Sequence, residues 1–129
     1  MNTTDYYNSV KWMCTVGVNS GYNLEDQQKM PVEQLTSLYL KIADDVMQQT
    51  GVYISAVVAK SRTLYSPAWG CPESGEFSYT LSGSCNPEFA KKEEYLSALE
   101  VVVKKLKTEL KQSTLLLEIV PVHLQYYKE

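Results

Sequence analysis

The sequence predicts an α+β fold of the ferredoxin-like type, a β-α-β-β-α-β sandwich with antiparallel sheet order 4-1-3-2 and two helices on one face. Three observations predict it. Two long segments carry helical periodicity, four runs carry strand patterning, and a proline falls in a run that an edge position would tolerate. Residues 1–129 read as a single domain of this kind, without repeats, low-complexity tracts or linkers, and 44% hydrophobic content is enough for a core.

Residues 10–18 alternate, with Val10, Trp12, Cys14, Val16 and Val18 on one face and Lys11, Met13, Thr15 and Gly17 on the other. Turn residues Asn19–Asn23 end this first strand. Pro31 and Glu33 suit the start of a helix, whose apolar stripe runs Leu35, Leu38, Tyr39, Ile42, Ala43, Val46 and stops at Gly51. Residues 52–65 alternate again as a second strand. Ser66–Gly75, with its prolines and glycines, is the loop to a third strand over about 76–82. Asn86-Pro87-Glu88 predicts the start of a second helix, with a stripe of Phe89, Leu96, Leu99, Val103, Leu106 and Leu110 and a lysine-rich C-terminal end. Residues 114–127 form the last strand. Pro121 within it cannot donate to a ladder, so this strand belongs at an edge, as the order 4-1-3-2 requires.

The charge balance excludes some functions. A net charge of −3, a pI near 5.2 and one arginine, Arg62, give no general attraction for nucleic acid. The N-terminus lacks a basic segment followed by an apolar run, and no stretch approaches a membrane span, so a cytoplasmic protein is expected. Cys14, Cys71 and Cys85 form no CxxC pair and read as free thiols. With His123 the lone histidine, neither a metal site nor a cofactor is expected.

Three regions are candidates for a site. With the first and third strands taken as parallel central neighbours, their C-terminal ends would emerge side by side. That would join Asn19, Ser20 and Tyr22 to Ser82, Ser84 and Asn86 at a helix N-terminus, where backbone N–H groups favour an anion. The same residues are also what turns and caps require. The loop from Ser66 to Gly75 is the second, with Arg62, Tyr65 and Trp69 as a surface for a protein partner. Tyr6, Tyr7, Tyr126 and Tyr127, among ten tyrosines, are expected to gather at the same pole. The uncovered sheet face is the third, presenting Lys11, Met13, Tyr53, Ser55, Val57, Ser78 and Thr80, a surface on which a second copy of the chain could pair. Glu118 and His123 are the only acid-base candidates, and each has a solvent-facing reading.

The segments Thr15-Val16-Gly17-Val18-Asn19-Ser20-Gly21 and Lys111-Gln112-Ser113-Thr114-Leu115-Leu116 resemble the ends of an uncharacterised bacterial family of small ferredoxin-like proteins. That family carries no assigned catalytic residues, so the resemblance implies a fold and no site. The absence of a signal peptide and the central cysteines depart from it. In kind, the chain resembles phage accessory proteins that sequester nucleotide signals or block host proteins. The sequence therefore leads to a non-catalytic, self-associating protein that captures a small anionic, nucleotide-derived ligand. A protein-binding inhibitor or adaptor is the alternative, and a small enzyme of the dimeric α/β-barrel type the third reading.

Overall fold

The computed structural model describes residues 3–18 and 30–129. Its elements are β1 (Thr3–Gly17), α1 (Val32–Thr50), β2 (Val57–Thr63), β3 (Glu76–Ser84), α2 (Lys92–Glu109) and β4 (Leu117–Lys128). The sheet order is β2-β3-β1-β4, the predicted order read from its other edge. Every neighbouring pair is antiparallel.

Three boundaries differ from the sequence reading, each for a physical reason. β2 pairs only from Val57, because Val52 and Ile54 are buried under the helices before the ladder begins. β1 reaches back to Thr3, because β4 pairs with it along the whole stretch from Thr3–Lys128 to Cys14–Leu117. α2 begins at Lys92 rather than near Pro87. The Asn86 side chain accepts from the Glu88 N–H at 3.0 Å, a local turn that competes with helix initiation, and Phe89 is left exposed. The buried stripe of α2 is Tyr95, Ala98, Leu99, Val102 and Leu106.

The core lies between the helices and one sheet face. Val10, Trp12, Cys14 and Val16 of β1 and Tyr79 and Leu81 of β3 meet Leu35, Tyr39, Ile42, Ala43 and Val46 of α1 and the α2 stripe. Buried aromatic groups enter this core with their polar ends satisfied. The Trp12 indole N–H donates to the Tyr95 hydroxyl at 2.8 Å, and the Tyr39 hydroxyl donates to the Ile54 carbonyl at 2.6 Å. The Tyr79 hydroxyl donates to the Met30 carbonyl at 2.7 Å. Part of the tyrosine surplus therefore serves the core rather than a contact surface.

Gly83 is a close-approach glycine. A Cβ there would lie 2.6 Å from the Ser55 carbonyl oxygen and 2.7 Å from Trp12 Nε1, so its absence lets the indole and the segment before β2 press on β3. At the far end of the β1–β4 ribbon, Lys128 pairs with Asp5 at 2.7 Å and with Glu88. No helix among the described residues is long and apolar enough to cross a membrane.

The antiparallel pairing of β1 with β3 corrects the expected layout of the loops. A β-α-β crossover returns β2 in the direction of β1, and the hairpin then reverses β3 against both. Gly17 at the end of β1 sits opposite Ser78, whereas Ser84 at the end of β3 sits opposite Lys11. The C-terminal ends of these strands therefore leave from opposite ends of the sheet. The loop between Thr63 and Glu76 lies at the Gly17 end, and the paired termini lie at the other, not at one shared pole.

Burial pushes the Cys14 thiol up to about 11 from its ordinary 9.0. The unfolded thiol ionises first, so stability tied to this group is intact below about pH 9 and falls as pH rises through about 11. Replacing Cys14 with valine removes this part of the alkaline loss. Urea unfolding of both proteins between about pH 8 and about pH 11 checks it: wild type should lose stability more steeply, and parallel curves would contradict the assignment.

Candidate functional site

The open sheet face carries an uninterrupted polar row on β3, namely Glu76, Ser78, Thr80, Ser82 and Ser84, each two residues from the next. The register sets Thr15 opposite Thr80 on one side and Ser61 and Thr63 opposite Ser78 and Glu76 on the other. Near the Gly17 end the hydroxyls bond to one another. Ser78 Oγ contacts Ser61 Oγ at 2.9 Å and Thr63 Oγ1 at 3.0 Å, Thr80 donates to Ser61 at 3.1 Å, and Thr15 and Thr80 lie 3.3 Å apart. Ser78 is fully buried, unusual for a serine on an uncovered face.

Its cover is the segment after α2. Lys111 adopts a left-handed conformation with φ 54°, and its N–H donates to the Thr108 carbonyl at 3.1 Å. The Gln112 N–H donates to the Lys107 carbonyl at 3.0 Å, and Gln112 Nε2 to the Leu110 carbonyl, also at 3.0 Å. Together these bonds turn residues 111–116 back over the sheet, closing a pocket of about 260 Å³ lined by Thr15, Gly17, Thr63, Glu76, Ser78 and this segment. A Cβ on Gly17 would lie 2.8 Å from Gln112 Oε1 and 3.4 Å from Glu76 Oε1. An amide oxygen and a carboxylate oxygen thus share the space above Gly17. The pocket therefore sets the Glu76 carboxylate beside a layer of hydroxyls, with Lys111 also in its lining, and the carboxylate can attract a positively charged group of a ligand.

The residues singled out from sequence fall elsewhere. Asn19, Ser20 and Tyr22 lie outside the described residues. Ser82 and Ser84 are on the open face at the opposite end from the strand terminus that Asn19 follows, and Asn86 caps a turn rather than α2. The premise of the expected anion site, parallel β1 and β3, does not hold, since the two strands end at opposite ends of the sheet and a turn precedes α2. Arg62 lies over the Phe77 ring at 5.9 Å, Tyr65 is half-buried, and Trp69 is 74% exposed in a single 3₁₀ turn, Pro67–Trp69. Glu118 is exposed on the edge strand, and His123, also exposed, stacks with Tyr6 at 6.1 Å.

Sequence reasoning missed Glu76 and Gln112. The readable signal was the alternation Glu-x-Ser-x-Thr-x-Ser-x-Ser over residues 76–84, which marks one polar strand face. The two segments that carried the family resemblance both enter this pocket, through Thr15 and Gly17 and through Lys111–Leu116.

The profile of a family described as SAM lyase matches residues 7–128. No curated protein matches the sequence. Among solved structures, a phage SAM lyase in complex with S-methyl-5'-thioadenosine is 15% identical, with a TM-score of 0.55, covering 92% of this chain and 90% of that one. CPII, a nitrogen regulatory PII-like protein from Thiomonas intermedia K12 bound to ADP, AMP and bicarbonate, is 6% identical, with a TM-score of 0.43, covering 93% of this chain and 96% of that one. The family match overturns two expectations, that the protein is a non-catalytic binder or inhibitor and that it is not an enzyme. The expected likeness to an uncharacterised bacterial family holds only for the ferredoxin-like frame; the family shown is a different one.

Gly17→Ala tests the geometry of the pocket directly. The added methyl meets the far end of a flexible side chain, so stability should change by less than about 0.5 kcal/mol while Gln112 is displaced. NMR should show the Gln112 side-chain amide shifted at an unchanged unfolding midpoint. An unmoved Gln112 resonance would mean that the two side chains do not meet over Gly17.

Proposed function

The chain belongs to the SAM lyase family, and on that premise we propose that it is an enzyme that cleaves S-adenosylmethionine, binding the sulfonium in the pocket over Gly17. The match over residues 7–128 carries the reaction class, and the paired oxygens of Glu76 and Gln112 support the siting. In such a reaction the bond between the sulfonium sulfur and the methionine γ-carbon breaks. The electron pair goes to sulfur, leaving S-methyl-5'-thioadenosine. No water enters in a lyase reaction, so the four-carbon fragment fills the open valence itself, by ring closure of its own carboxylate or by loss of a β-proton.

The charge change assigns Glu76 a role. The sulfur is positive in the substrate and neutral in the thioether, so an acceptor beside it holds substrate more tightly than product. Glu76 and Gln112 then select and orient the sulfonium, and the hydroxyls of Thr15, Thr63 and Ser78 offer partners for the polar groups around it. Self-association remains part of this reading, because Met13, Val57 and Val120 leave apolar groups exposed on the open face.

Purified protein incubated with S-adenosylmethionine should yield S-methyl-5'-thioadenosine by chromatography, and in heavy-oxygen water the early products should carry no label. An inert protein, or early label in the four-carbon product, would overturn the reading. Glu76→Gln should raise KM about ten- to hundredfold, the scale of one contact to a charge, without lowering kcat. A large fall in kcat at unchanged KM would instead make Glu76 a base.

A further inference from the structure

We propose that Lys11, Ser55, Ser82 and Ser84 form a second binding site on the open sheet face, one that takes a small carboxylate. These residues line a pocket of about 340 Å³ together with Ala56, Val57 and Gly83, and no acid lines it. The volume falls in the range of small-molecule sites.

The contrast within one strand carries the inference. At the Gly17 end of β3, each hydroxyl faces another across the ladder, and the hydroxyls satisfy one another. At the Lys11 end the cross-strand neighbours of Ser82 are Met13 and Val57, and that of Ser84 is Lys11 itself. Among the described residues, the Lys11 ammonium has no ion pair, and the three serine hydroxyls have no internal hydrogen-bond partner. Four side chains with donor groups therefore border one cavity.

Gly83 builds the wall. Its missing side chain lets the Ser55 carbonyl approach, on the helix side of β3, to 2.6 Å of the position a Cβ would take, so the segment before β2 packs close against the end of the strand that carries Ser82 and Ser84. One ammonium and neutral hydroxyls match a single negative charge. A phosphate dianion would favour an arginine fork, and none lines this pocket. Charge and donor count thus assign a carboxylate.

This site is distinct from the pocket over Gly17. The two share no lining residue, and Ser78 and Ser82 are four strand positions apart, roughly 13 Å at strand rise. The inference does not depend on the S-adenosylmethionine reading, and either can fail alone.

Acetate titrated into the full chain at constant ionic strength, with chloride as the balancing ion, is the test. Amide resonances of Lys11, Ser82, Gly83 and Ser84 should shift saturably, and Lys11→Met should raise the Kd at least about tenfold. Lys104→Met, which removes an exposed lysine paired with Glu100 on α2, should leave the Kd unchanged. Shifts that never saturate, or that persist in Lys11→Met, would overturn the site. Inorganic phosphate binding more tightly than acetate would overturn the carboxylate assignment.

Discussion

The register of β1 against β3 is the constraint on which the rest of the molecule depends. It sets Trp12 opposite Gly83 on the helix side and Thr15 opposite Thr80 on the open side. A slip of one residue would turn Trp12, Cys14 and Val16 out of the core and bring Lys11, Met13 and Thr15 into it. The pairing is pinned from the helix side. The Trp12 indole occupies the space that a Gly83 side chain would fill, and its N–H bonds to the Tyr95 hydroxyl on α2. One strand pair therefore fixes the position of a helix as well as the alignment of the polar face.

That polar face follows from burying the opposite one. Helices cover only one side of the sheet, so most alternate residues on β1, β2 and β3 can be hydroxyls or charges at little desolvation cost, and the buried Ser78 is satisfied by its hydroxyl neighbours. The Gly17 end becomes a pocket because α2 ends in a left-handed turn at Lys111 and the chain returns across the sheet. Gly17 leaves room for Gln112 and Glu76 to meet there. The chemistry assigned to this pocket needs little more than a held sulfonium. In the proposed reaction the charge disappears as the bond breaks, and the protein's part would be to bind the charged reactant in a reactive shape.

Much of the frame was legible in the sequence, and the site was not. Pro121 placed β4 at an edge, Gly51 ended α1 with φ 81°, and the even-numbered residues of β1 from Val10 to Val16 are buried. These are local or periodic properties, and sequence carries them. The errors came from chain direction and from competition between local structures. Treating β1 and β3 as parallel joined loops that belong at opposite ends of the sheet. Asn86 has the composition of a helix cap, but its side chain closes a turn onto Glu88 first. Gln112 reaches Gly17 from the far side of both α1 and α2 in the sequence, a contact no local pattern encodes. The segments that carried the resemblance contribute Thr15, Gly17 and Lys111–Leu116 to the pocket proposed for the substrate, but nothing in their sequence shows that they meet.

The central claim is that S-adenosylmethionine is held at the pocket over Gly17, and its own product offers the most direct measurement. A crystal structure of the protein with S-methyl-5'-thioadenosine should place the thioether sulfur in that pocket, over Gly17 and beside Glu76 and Gln112. The nucleoside lodged elsewhere, as in the cleft that Lys60, Arg62 and Phe77 form with the start of α1, would contradict it.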